Sequence, residues 1–546
     1  MKDELWYKDA VFYQVYVRAF FDSNADGHGD LAGLTQKLDY LKDLGVDCLW
    51  LMPIYPSPLK DDGYDISDFY GIYPTYGDVK DFKALLDAAH KRGMRVITDL
   101  VLNHTSDQHP WFQAARSDPN SPYRDYYVWS DTDQKYKEAR IIFLDVEKSN
   151  WTWDEAAGQY YWHRFYSSQP DLNYDNPAVQ EEMINVMKFW LDMGIDGFRC
   201  DAVPYLFERE GTNCENLPLT HEYLKRLRRF MDEHYPGRIM LAEANQWPQD
   251  VIQYFGSGRD EFHMGFHFPL MPRIFMALKR EEREPLVWIL DQTPDLSEYT
   301  QWCIFLRNHD ELTLEMVTEE ERQWMWEQYA PEPRMRLNLG IRRRLAPLLD
   351  NDRGKLGLAY SLLFTMPGSP IIYYGDEIGM GDNIWLKDRD GVRTPMQWSN
   401  TNNAGFSDAD AEKLYAPVIE GPVYGPERVN VADQINDPDS LLNMVRHMIS
   451  VRKQYPVFGW GKFTWVFGEA PYDSSAVCAY LRHHENERVL VVHNFSGSSQ
   501  SVVLRPPIEI QAAVPVDLLT GKTYTPFEDN RLKLDLAPYQ YLWLRL

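Results

Sequence analysis

The sequence predicts an α/β protein: a closed (β/α)8 TIM barrel with an inserted subdomain after strand 3 and an all-β C-terminal domain. Short apolar runs alternate with helical segments over most of the chain, which is typical of a parallel sheet covered by helices. One polar, aromatic and turn-rich stretch interrupts this rhythm. From about residue 456 the helices stop and strand-like alternation begins.

Eight apolar runs are predicted to be the parallel strands of the barrel. They are short, and most are rich in β-branched, aromatic or other large apolar side chains. The runs cover residues 11–17, 48–52, 95–102, 197–201, 239–242, 263–268, 302–306 and 371–374. Eight is the strand number of a closed barrel of this type.

Helical periodicity fills the segments between these runs. Leu31, Leu34, Leu38, Leu41 and Leu44 recur at steps of three and four residues, which predicts one helix with a single apolar face. Further helices are predicted at residues 79–92, 177–193 and 220–234.

Interruptions of this pattern set the domain boundaries. Residues 1–102 and 172–455 are predicted to form the barrel, and residues 103–171 form the inserted subdomain, because this stretch is too long for an ordinary loop. A helical excursion is predicted at about residues 312–350, beside the mouth of the barrel. Residues 456–546 form the antiparallel β domain.

Composition narrows the classes of ligand and the compartment. The formal net charge is −26, which argues against nucleic acid and anionic membranes as partners. The five cysteines are scattered, so neither a disulfide framework nor a zinc site is predicted. We find no signal peptide or membrane-spanning pattern in the sequence and predict a cytoplasmic protein. A homo-oligomer is compatible with the sequence.

Polar side chains follow four of the predicted strands at their C-terminal ends, where the active site of such a barrel lies. They are Asp99, Asn103 and His104 at strand 3, Arg199 and Asp201 at strand 4, Glu243 at strand 5, and Asn308, His309 and Asp310 at strand 7. Four carboxylates at the ends of strands 3, 4, 5 and 7 are typical of a catalytic site rather than of solubilising surface.

The surroundings of two of these carboxylates differ in the sequence. Arg199 and Asp201 share a face of their strand, and a neighbouring cation favours the ionised carboxylate that a nucleophile needs. Glu243 lies between two alanines without a cation next to it in the chain, so its pKa is predicted to rise toward that of a useful acid.

These four stretches, in this order, resemble the four conserved regions of the α-amylase family, glycoside hydrolase family 13. They read DLVLNH at 99–104, GFRCDAV at 197–203, LAEAN at 241–245 and LRNHDE at 306–311. DDGYDISDF at 61–69, QPDLN at 169–173 and RTPMQW at 393–398 are similar to further motifs of its oligosaccharide-acting branch. The resemblance covers nearly the whole chain.

The resemblance implies a role for each matching residue. Asp201 would be the nucleophile, Glu243 the general acid/base and Asp310 the stabiliser of the transition state. The side chains expected to bind the sugar are Asp61, Tyr64, His104, Gln169, Arg199, His309 and Arg393. Tyr64 would stack beneath the glucose ring, with Asp61 and Arg393 opposite. Taken singly, these residues have structural alternatives, such as a turn tyrosine or a satisfied core histidine.

Two sets of oxygen ligands are predicted to hold structural cations, Ca²⁺ in general, with Mg²⁺ as an alternative in the first set. The first is a loop that resembles the family's calcium loop, with Asp22, Asn24, Asp26, the carbonyl of His28, and Asp30. The second pins the inserted subdomain to the barrel through Asn103, Asp171, Glu208 and the carbonyls of Tyr205 and Leu206. No organic cofactor is expected.

The resemblance implies a retaining glucosyltransferase that interconverts maltose and trehalose, with minor hydrolysis. Glucose would turn inside an enclosed site and attack a glucosyl group held on Asp201. Two alternatives stay open. An α-glucosidase or oligo-1,6-glucosidase would release free glucose as its main product. A non-catalytic relative acting as a binding subunit would be expected to have lost members of the carboxylate set, which is complete here.

Overall fold

Eight parallel strands close into a barrel in the computed structural model, which describes residues 4–510 and 513–546. Strands that are neighbours in the chain are neighbours in the barrel, and strand 8 pairs with strand 1. Barrel strands 1 to 8 are Phe12–Val15, Cys48–Leu51, Arg95–Val101, Gly197–Asp201, Ile239–Ala242, Met264–Phe266, Gln301–Phe305 and Ser369–Tyr373. The eight predicted strands are confirmed, with small differences at their ends. Residues 1–3, part of the stretch in which no signal peptide is predicted, lie outside the described residues.

The register of the strands places the polar side chains at one end. Asp99 of strand 3 lies opposite Arg199 of strand 4, and Gln14 of strand 1 lies opposite Trp50 of strand 2. All four side chains are buried. A parallel barrel has all its strand C-termini at one end, so residues just beyond these positions meet there.

The leucine-rich helix near the N-terminus differs from the prediction. It consists of two helices, Leu31–Gln36 and Leu38–Leu44, which meet at Lys37. The five leucines of its predicted apolar face are all fully buried, so the same face packs on the barrel on both sides of the break. The break therefore changes the helix and leaves its packing pattern intact.

Longer helices cover the barrel where the periodicity predicts them. Val79–Lys91 begins with a capping box in which Asp78 and Asp81 satisfy each other's backbone amides. Pro177–Met193 and Pro218–His234 both begin with proline in the first turn, where the missing amide hydrogen costs nothing. The other helices of ten residues or more are Leu270–Arg280, Glu319–Tyr329, Arg353–Thr365 and Leu441–Gln454.

The stretch at 103–171 forms a small unit of its own above strand 3. It contains the helix Pro110–Ser117 and an antiparallel sheet of Trp129–Ser130, Gln159–Trp162 and Trp151–Asp154, in that spatial order. An isolated β-bridge between His104 and Asp171 joins its two ends. Both ends of the insertion are therefore fixed at the C-terminal end of the barrel.

The excursion at about 312–350 is only partly helical. Its helix, Glu319–Tyr329, starts at a capping box formed by Thr318 and Glu321. The remainder includes a three-stranded sheet made of Leu312–Thr313, Gly340–Ile341 and Arg336–Leu337. Strands this short give no periodic signal in a sequence, which is why a wholly helical excursion was the wrong expectation for this part.

The C-terminal region is an antiparallel β domain, as predicted, although a short helix, Val457–Trp460, lies just inside its predicted start at residue 456. Its seven antiparallel strands are, in spatial order, Val516–Asp517, Tyr541–Arg545, Glu487–Asn494, Val477–His484, Lys462–Gly468, Gln500–Arg505 and Leu532–Leu536. One face packs on the barrel helix Arg353–Thr365, where Trp543 and His493 both bond the hydroxyl of Ser361. Within the described ranges, none of the helices combines the length and apolar character needed to cross a membrane.

Candidate active site

Arg199 is the centre of the candidate active site. Its buried guanidinium contacts three carboxylates: Nη1 donates to Asp201 Oδ1 and, at 2.5 Å, to Asp99 Oδ1, while Nη2 lies 2.8 Å from Glu243 Oε1. Trp50 donates to the other oxygen of Asp99 at 2.7 Å and so fixes that carboxylate. A single guanidinium thus keeps Asp201 and Glu243 close together, as in retaining enzymes, where the separation is about 5 to 5.5 Å.

The turn after strand 4 supplies a further contact to Glu243. Ala202 has a left-handed backbone with φ 52°, which is uncommon for a residue other than glycine. Its amide nitrogen donates to Glu243 Oε2 at 3.1 Å. Strained backbone of this kind persists where the surroundings impose it, often beside reacting groups.

Asp310 is held by a different set of donors. Arg393 Nη2 and Arg389 Nε lie 3.1 and 3.3 Å from its Oδ1, and His309 Nε2 lies 3.2 Å from its Oδ2. Burial opposes ionisation of this carboxyl, but His309, Arg389 and Arg393 together hold its pKa below the usual range. Asp310 is therefore ionised at neutral pH.

The paired carboxyls beside Arg199 have separated pKa values. Burial raises the pKa of Asp201 to about 6, against the opposing effect of Arg199. Burial raises the pKa of Glu243 to about 8, again against Arg199, and the negative charges of Asp201 and Asp310 add to the rise. At pH 7 the pair therefore carries one proton, mainly on Glu243, which suits a nucleophile and an acid.

The physical reason for this order differs from the one inferred from the sequence. Glu243 has no cation next to it in the chain, but in the fold Arg199 lies as close to it as an ion pair requires. Its pKa is high because burial and the neighbouring carboxylates outweigh that cation. The apolar neighbours in the chain are therefore only part of the reason, while the predicted direction of the pKa shift agrees with the structure.

These groups line a cavity of about 120 Å³. Its floor is formed by residues at the strand ends, namely Asp201, Glu243, His309 and Asp310, and its sides by the two additions to the barrel. The insertion contributes Ile142, Phe143 and Phe165, and the excursion contributes Thr313 and Glu315. Parts of the chain that lie outside the (β/α)8 core therefore form part of the cavity wall.

Three predicted sugar-binding residues lie in the wall of this cavity in addition to His309. Nε2 of His104 has no hydrogen-bond partner in the part of the chain that the structure describes, and burial lowers the pKa of His104 to about 3, so the ring is neutral. Tyr64 stacks on the His309 ring at 5.2 Å between centroids, with the planes 12° apart. Asp61 lines the wall as well. An unpartnered imidazole nitrogen and an aromatic face are groups that bind sugar hydroxyls and sugar rings.

Two other predicted residues lie behind this wall. Gln169 donates from Nε2 to Asp61 Oδ2 at 2.8 Å and does not line the cavity. Arg393 also lies outside the lining, where it contacts Asp62 at 2.6 Å and Asp310. Both therefore hold carboxylates that face the cavity.

The arginine that contacts Asp61 in the cavity wall is Arg389, which was not predicted from the sequence. Arg389 lines the cavity and lies 3.2 Å from Asp61, 3.3 Å from Asp310 and 2.9 Å from Glu311. It lies four residues before Arg393, so the motif RTPMQW, extended by four residues toward the N-terminus, would have included it.

The first predicted cation set is a loop whose side-chain oxygens accept hydrogen bonds, most of them from groups within the loop. Asp22 accepts from the amides of Asn24, Ala25 and Gly27 and from the Ser407 hydroxyl. Asp30 accepts from the backbone and hydroxyl of Ser23 and from the Gly33 amide. Asn24 and Asp26 each accept from a backbone amide two residues on, and the His28 ring accepts from Arg18. These hydrogen bonds occupy most of the side-chain oxygens of the loop, and cation binding there stays a prediction.

The second set, which we call the junction cluster, consists of Asn103, Asp171 and Glu208. Each of these buried side chains has an oxygen without a hydrogen-bond partner among the described residues. Burial raises the pKa of Asp171 to about 8 and that of Glu208 well above its usual range. Tyr205 and Leu206 lie at the end of a short helical turn, where carbonyl groups lack helical partners. Unpaired buried oxygens of this kind fit a hard cation.

The junction cluster has only two carboxylates. Over the described residues, no three or more His, Cys, Asp or Glu side chains converge as a metal site would require. A cation here would therefore depend on the Asn103 amide oxygen and on backbone carbonyls for its remaining ligands, which Ca²⁺ accepts readily.

Comparison with known proteins agrees with this architecture. The family model for the catalytic domain of alpha amylase matches residues 14–461, and that for the C-terminal domain of maltogenic amylase matches residues 469–543. Trehalose synthase/amylase TreS of Mycobacterium tuberculosis is 60% identical over 532 residues, which cover 96% of this chain and 86% of that protein. Trehalose synthase of Pimelobacter sp. is 56% identical over 553 residues, covering 99% and 96%.

A solved structure gives a similar result at lower identity. The trehalulose synthase MutB from Pseudomonas mesoacidophila MX-45 is 30% identical and superposes with a TM-score of 0.78 over 99% of each chain. The likeness therefore extends over the barrel, both additions and the C-terminal domain.

Proposed function

The chain belongs to the α-amylase family, and from this membership we propose that it is a retaining glucosyltransferase that interconverts maltose and trehalose. The relatives named trehalose synthase, at 56–60% identity over nearly the whole chain, support the choice of substrate. The pair of carboxyls on Arg199 supports the reaction type, because one is ionised and the other protonated at neutral pH.

The proposed reaction has two halves. Glu243 donates its proton to the bridging oxygen of maltose while Asp201 attacks the anomeric carbon, which breaks the glycosidic bond and forms a glucosyl ester. Asp310, with Arg389 and Arg393 behind it, would bind sugar hydroxyls as the ring flattens toward the oxocarbenium-like transition state. Glu243, now ionised, takes the proton from the anomeric hydroxyl of the released glucose as that oxygen attacks the anomeric carbon of the glucosyl ester. The new glycosidic bond forms and the bond to Asp201 breaks.

The observation that favours transfer over hydrolysis is a set of contacts that link the insertion to the excursion beside the cavity. Arg140 of the insertion lies 2.6 Å from Glu315 of the excursion and 2.9 Å from Glu215. Its Nη2 also donates to the Tyr205 hydroxyl at 3.1 Å. A cover that excludes water and retains the released glucose favours re-attack by glucose through effective concentration.

An α-glucosidase or oligo-1,6-glucosidase is the second candidate, because the same three carboxylates serve hydrolysis. A glucosidase needs water to reach the glucosyl ester, so its cavity must open between the two half-reactions. The Arg140 contacts oppose such opening and favour the transferase. A non-catalytic binding subunit has no observation in its favour, since all three carboxylates line the cavity.

We further propose that Ca²⁺ occupies the junction cluster as a structural ion, held by Asn103, Asp171, Glu208 and the carbonyls of Tyr205 and Leu206. Its charge would compensate two buried carboxylates and tie the insertion to strand 3. For the loop at residues 22–30, binding of Ca²⁺ or Mg²⁺ remains a prediction. A cytoplasmic location and a homo-oligomer also remain predictions.

Product analysis after incubation with maltose tests the proposed function. Trehalose should be the main product, with glucose as a minor one, and trehalose alone as substrate should give maltose. Asp201→Asn serves as the matched control that reveals contaminating activity. Glucose as the main product, with little trehalose, would favour the glucosidase.

A further inference from the structure

Gln14 lies behind His309, outside the cavity lining, and has no part in the reaction described above. It belongs to strand 1, is fully buried, and places its Nε2 2.7 Å from His309 Nδ1. Its other amide atom, Oε1, has no hydrogen-bond partner among the described residues. Interiors of such barrels are mostly filled by branched apolar side chains, so a buried amide with an unpaired oxygen requires an explanation.

The contact with Gln14 decides which nitrogen of His309 carries the proton. An amide N–H that faces Nδ1 makes this atom the acceptor, and the proton of a neutral ring is then on Nε2. Nε2 lies 3.2 Å from Asp310 Oδ2, where an N–H is favourable and a lone pair is not. Turning the amide around would put the proton on Nδ1 and set two lone pairs against each other at Asp310.

The other charged groups around His309 oppose a second proton on its ring. Burial acts most strongly against a positive imidazole, Arg393, Arg199 and Arg389 add to it, and Asp310 favours it. Arg393 also donates from Nε to the His309 carbonyl at 2.8 Å, and the rings of Tyr64 and Trp50 pack against the imidazole. The ring is therefore neutral, and its tautomer is the property left for a neighbour to set.

We propose that Gln14 is a positioning residue that keeps His309 in the tautomer with the proton on Nε2. In this form His309 donates to Asp310 and turns that carboxylate toward the sugar. The proposal rests on the role given above to Asp310 in glucosyl transfer. His104 has the same arrangement, since its Nδ1 lies 3.4 Å from Asn103 Nδ2. Both cavity histidines thus accept from an amide on one side.

Two substitutions at Gln14 separate this role from a purely structural one. Gln14→Leu removes the donor at similar volume, and we expect kcat to fall on the order of 10²-fold with a small change in KM, as for other misoriented catalytic hydrogen bonds. Gln301→Leu is the matched control, because Gln301 is a buried strand amide that bonds the Gly459 carbonyl at the other end of the barrel. It should lower stability and leave kcat unchanged.

Gln14→Glu gives a pH signature. The new carboxylate accepts a proton from Nδ1, so the His309 pKa rises. Below that pKa the doubly protonated ring still has its Nε2 proton and the variant works. Above it the ring keeps only the Nδ1 proton, so kcat falls with rising pH in a range where the wild type is flat. An unchanged pH profile would overturn the proposal.

A spectroscopic measurement on the whole chain does not depend on turnover. Nitrogen NMR of ¹⁵N-histidine-labelled protein, with His309 assigned by its loss in His309→Gln, should show an unprotonated Nδ1 in the wild type and a protonated Nδ1 in Gln14→Glu. A protonated Nδ1 in the wild type would overturn the proposal. If the tautomer is as expected but maltose gives no trehalose, the proposed function fails while the role of Gln14 stands.

Discussion

Two groups of buried carboxylates lie at the C-terminal end of the barrel, and their charges are compensated differently. In the catalytic cluster, defined as Asp201, Glu243 and Asp310, every carboxyl lies within ion-pair distance of an arginine. In the junction cluster, neither Asp171 nor Glu208 forms an ion pair with any described residue. The catalytic cluster thus has its own cations, whereas the junction cluster has two buried carboxyls without one among the described residues, which is the basis for the Ca²⁺ proposed there.

The two clusters also use their carboxylates for different purposes. In the catalytic cluster, burial and the neighbouring charges give Asp201 and Glu243 different pKa values, which suits a nucleophile and an acid/base. The junction cluster lies where the two ends of the insertion meet, with Asn103 just after strand 3 and Asp171 at the end of the insertion. Its carboxylates take no part in the proposed reaction. Substitutions in the first should therefore change the rate, and substitutions in the second should change the stability.

The largest expected effect is the loss of turnover on neutralising the catalytic cluster. Asp201→Asn, Glu243→Gln and Asp310→Asn should each lower kcat by about 10³-fold or more, because the three act as a unit. Steady-state rates on maltose, with circular dichroism to verify folding, measure this. Glu208→Gln is the control from the junction cluster and should keep most of the rate. A folded variant that retains more than about a tenth of the wild-type rate would remove its residue from the catalytic set.

The next effect concerns pH. The reaction needs Asp201 ionised and Glu243 protonated, so kcat/KM should fall below about pH 6 and above about pH 8. Each limb should approach about tenfold per pH unit, as for a single essential proton. Rates measured from pH 4.5 to 9.5 at constant ionic strength test this. A flat profile between pH 5 and 9 would contradict the separation of the two pKa values.

A smaller effect is expected in the junction cluster on removal of the cation. Chelation should lower the melting temperature, since an ion present at a hundred times its Kd stabilises the fold by about 2.7 kcal/mol. Calorimetry with and without chelator measures the shift. Glu208→Gln should be less stable than the wild type and insensitive to the chelator. An equal response of variant and wild type would place the ion elsewhere.

The smallest effect is expected in the loop at residues 22–30. Asp26 is exposed, and its side chain accepts a hydrogen bond from the His28 amide, so Asp26→Asn should change stability by about 0.5 kcal/mol or less. Elemental analysis of the same variant counts the ions per chain. One calcium in both wild type and variant would place it at the junction cluster alone. Two ions in the wild type and one in the variant would show that the loop binds a cation as well.

Much of the fold could be predicted because its signals are local. The eight strands are short apolar runs, and the leucine spacing at residues 31–44 identifies a buried face even though the helix is broken at Lys37. The sheet in the excursion could not be predicted, since its strands are two residues long and their pairing joins residue 312 to residue 341. Such pairing leaves no periodic pattern.

The candidate active site also has residues that could be predicted from the sequence and contacts that could not. The strand-end carboxylates could be found because barrel geometry brings consecutive strand ends together. The contact of Arg199 with Glu243 spans 44 residues of chain and that of Arg389 with Asp61 spans 328, so no local pattern reveals either. The contact of Gln14 with His309 could not be predicted for the same reason, since the two residues are 295 positions apart in the chain. Contacts of this kind depend on the closed barrel.

We expect glucose to stay inside the cavity between the two halves of the reaction. The most direct measurement is incubation of the protein with maltose and an excess of isotopically labelled free glucose, followed by mass analysis of the earliest trehalose. Arg140→Ala, which removes the contacts to Glu315 and Glu215, is the comparison that should admit label and water. We expect almost unlabelled trehalose from the wild type, and from the variant trehalose with more label together with more free glucose. Heavily labelled trehalose from the wild type would contradict this expectation.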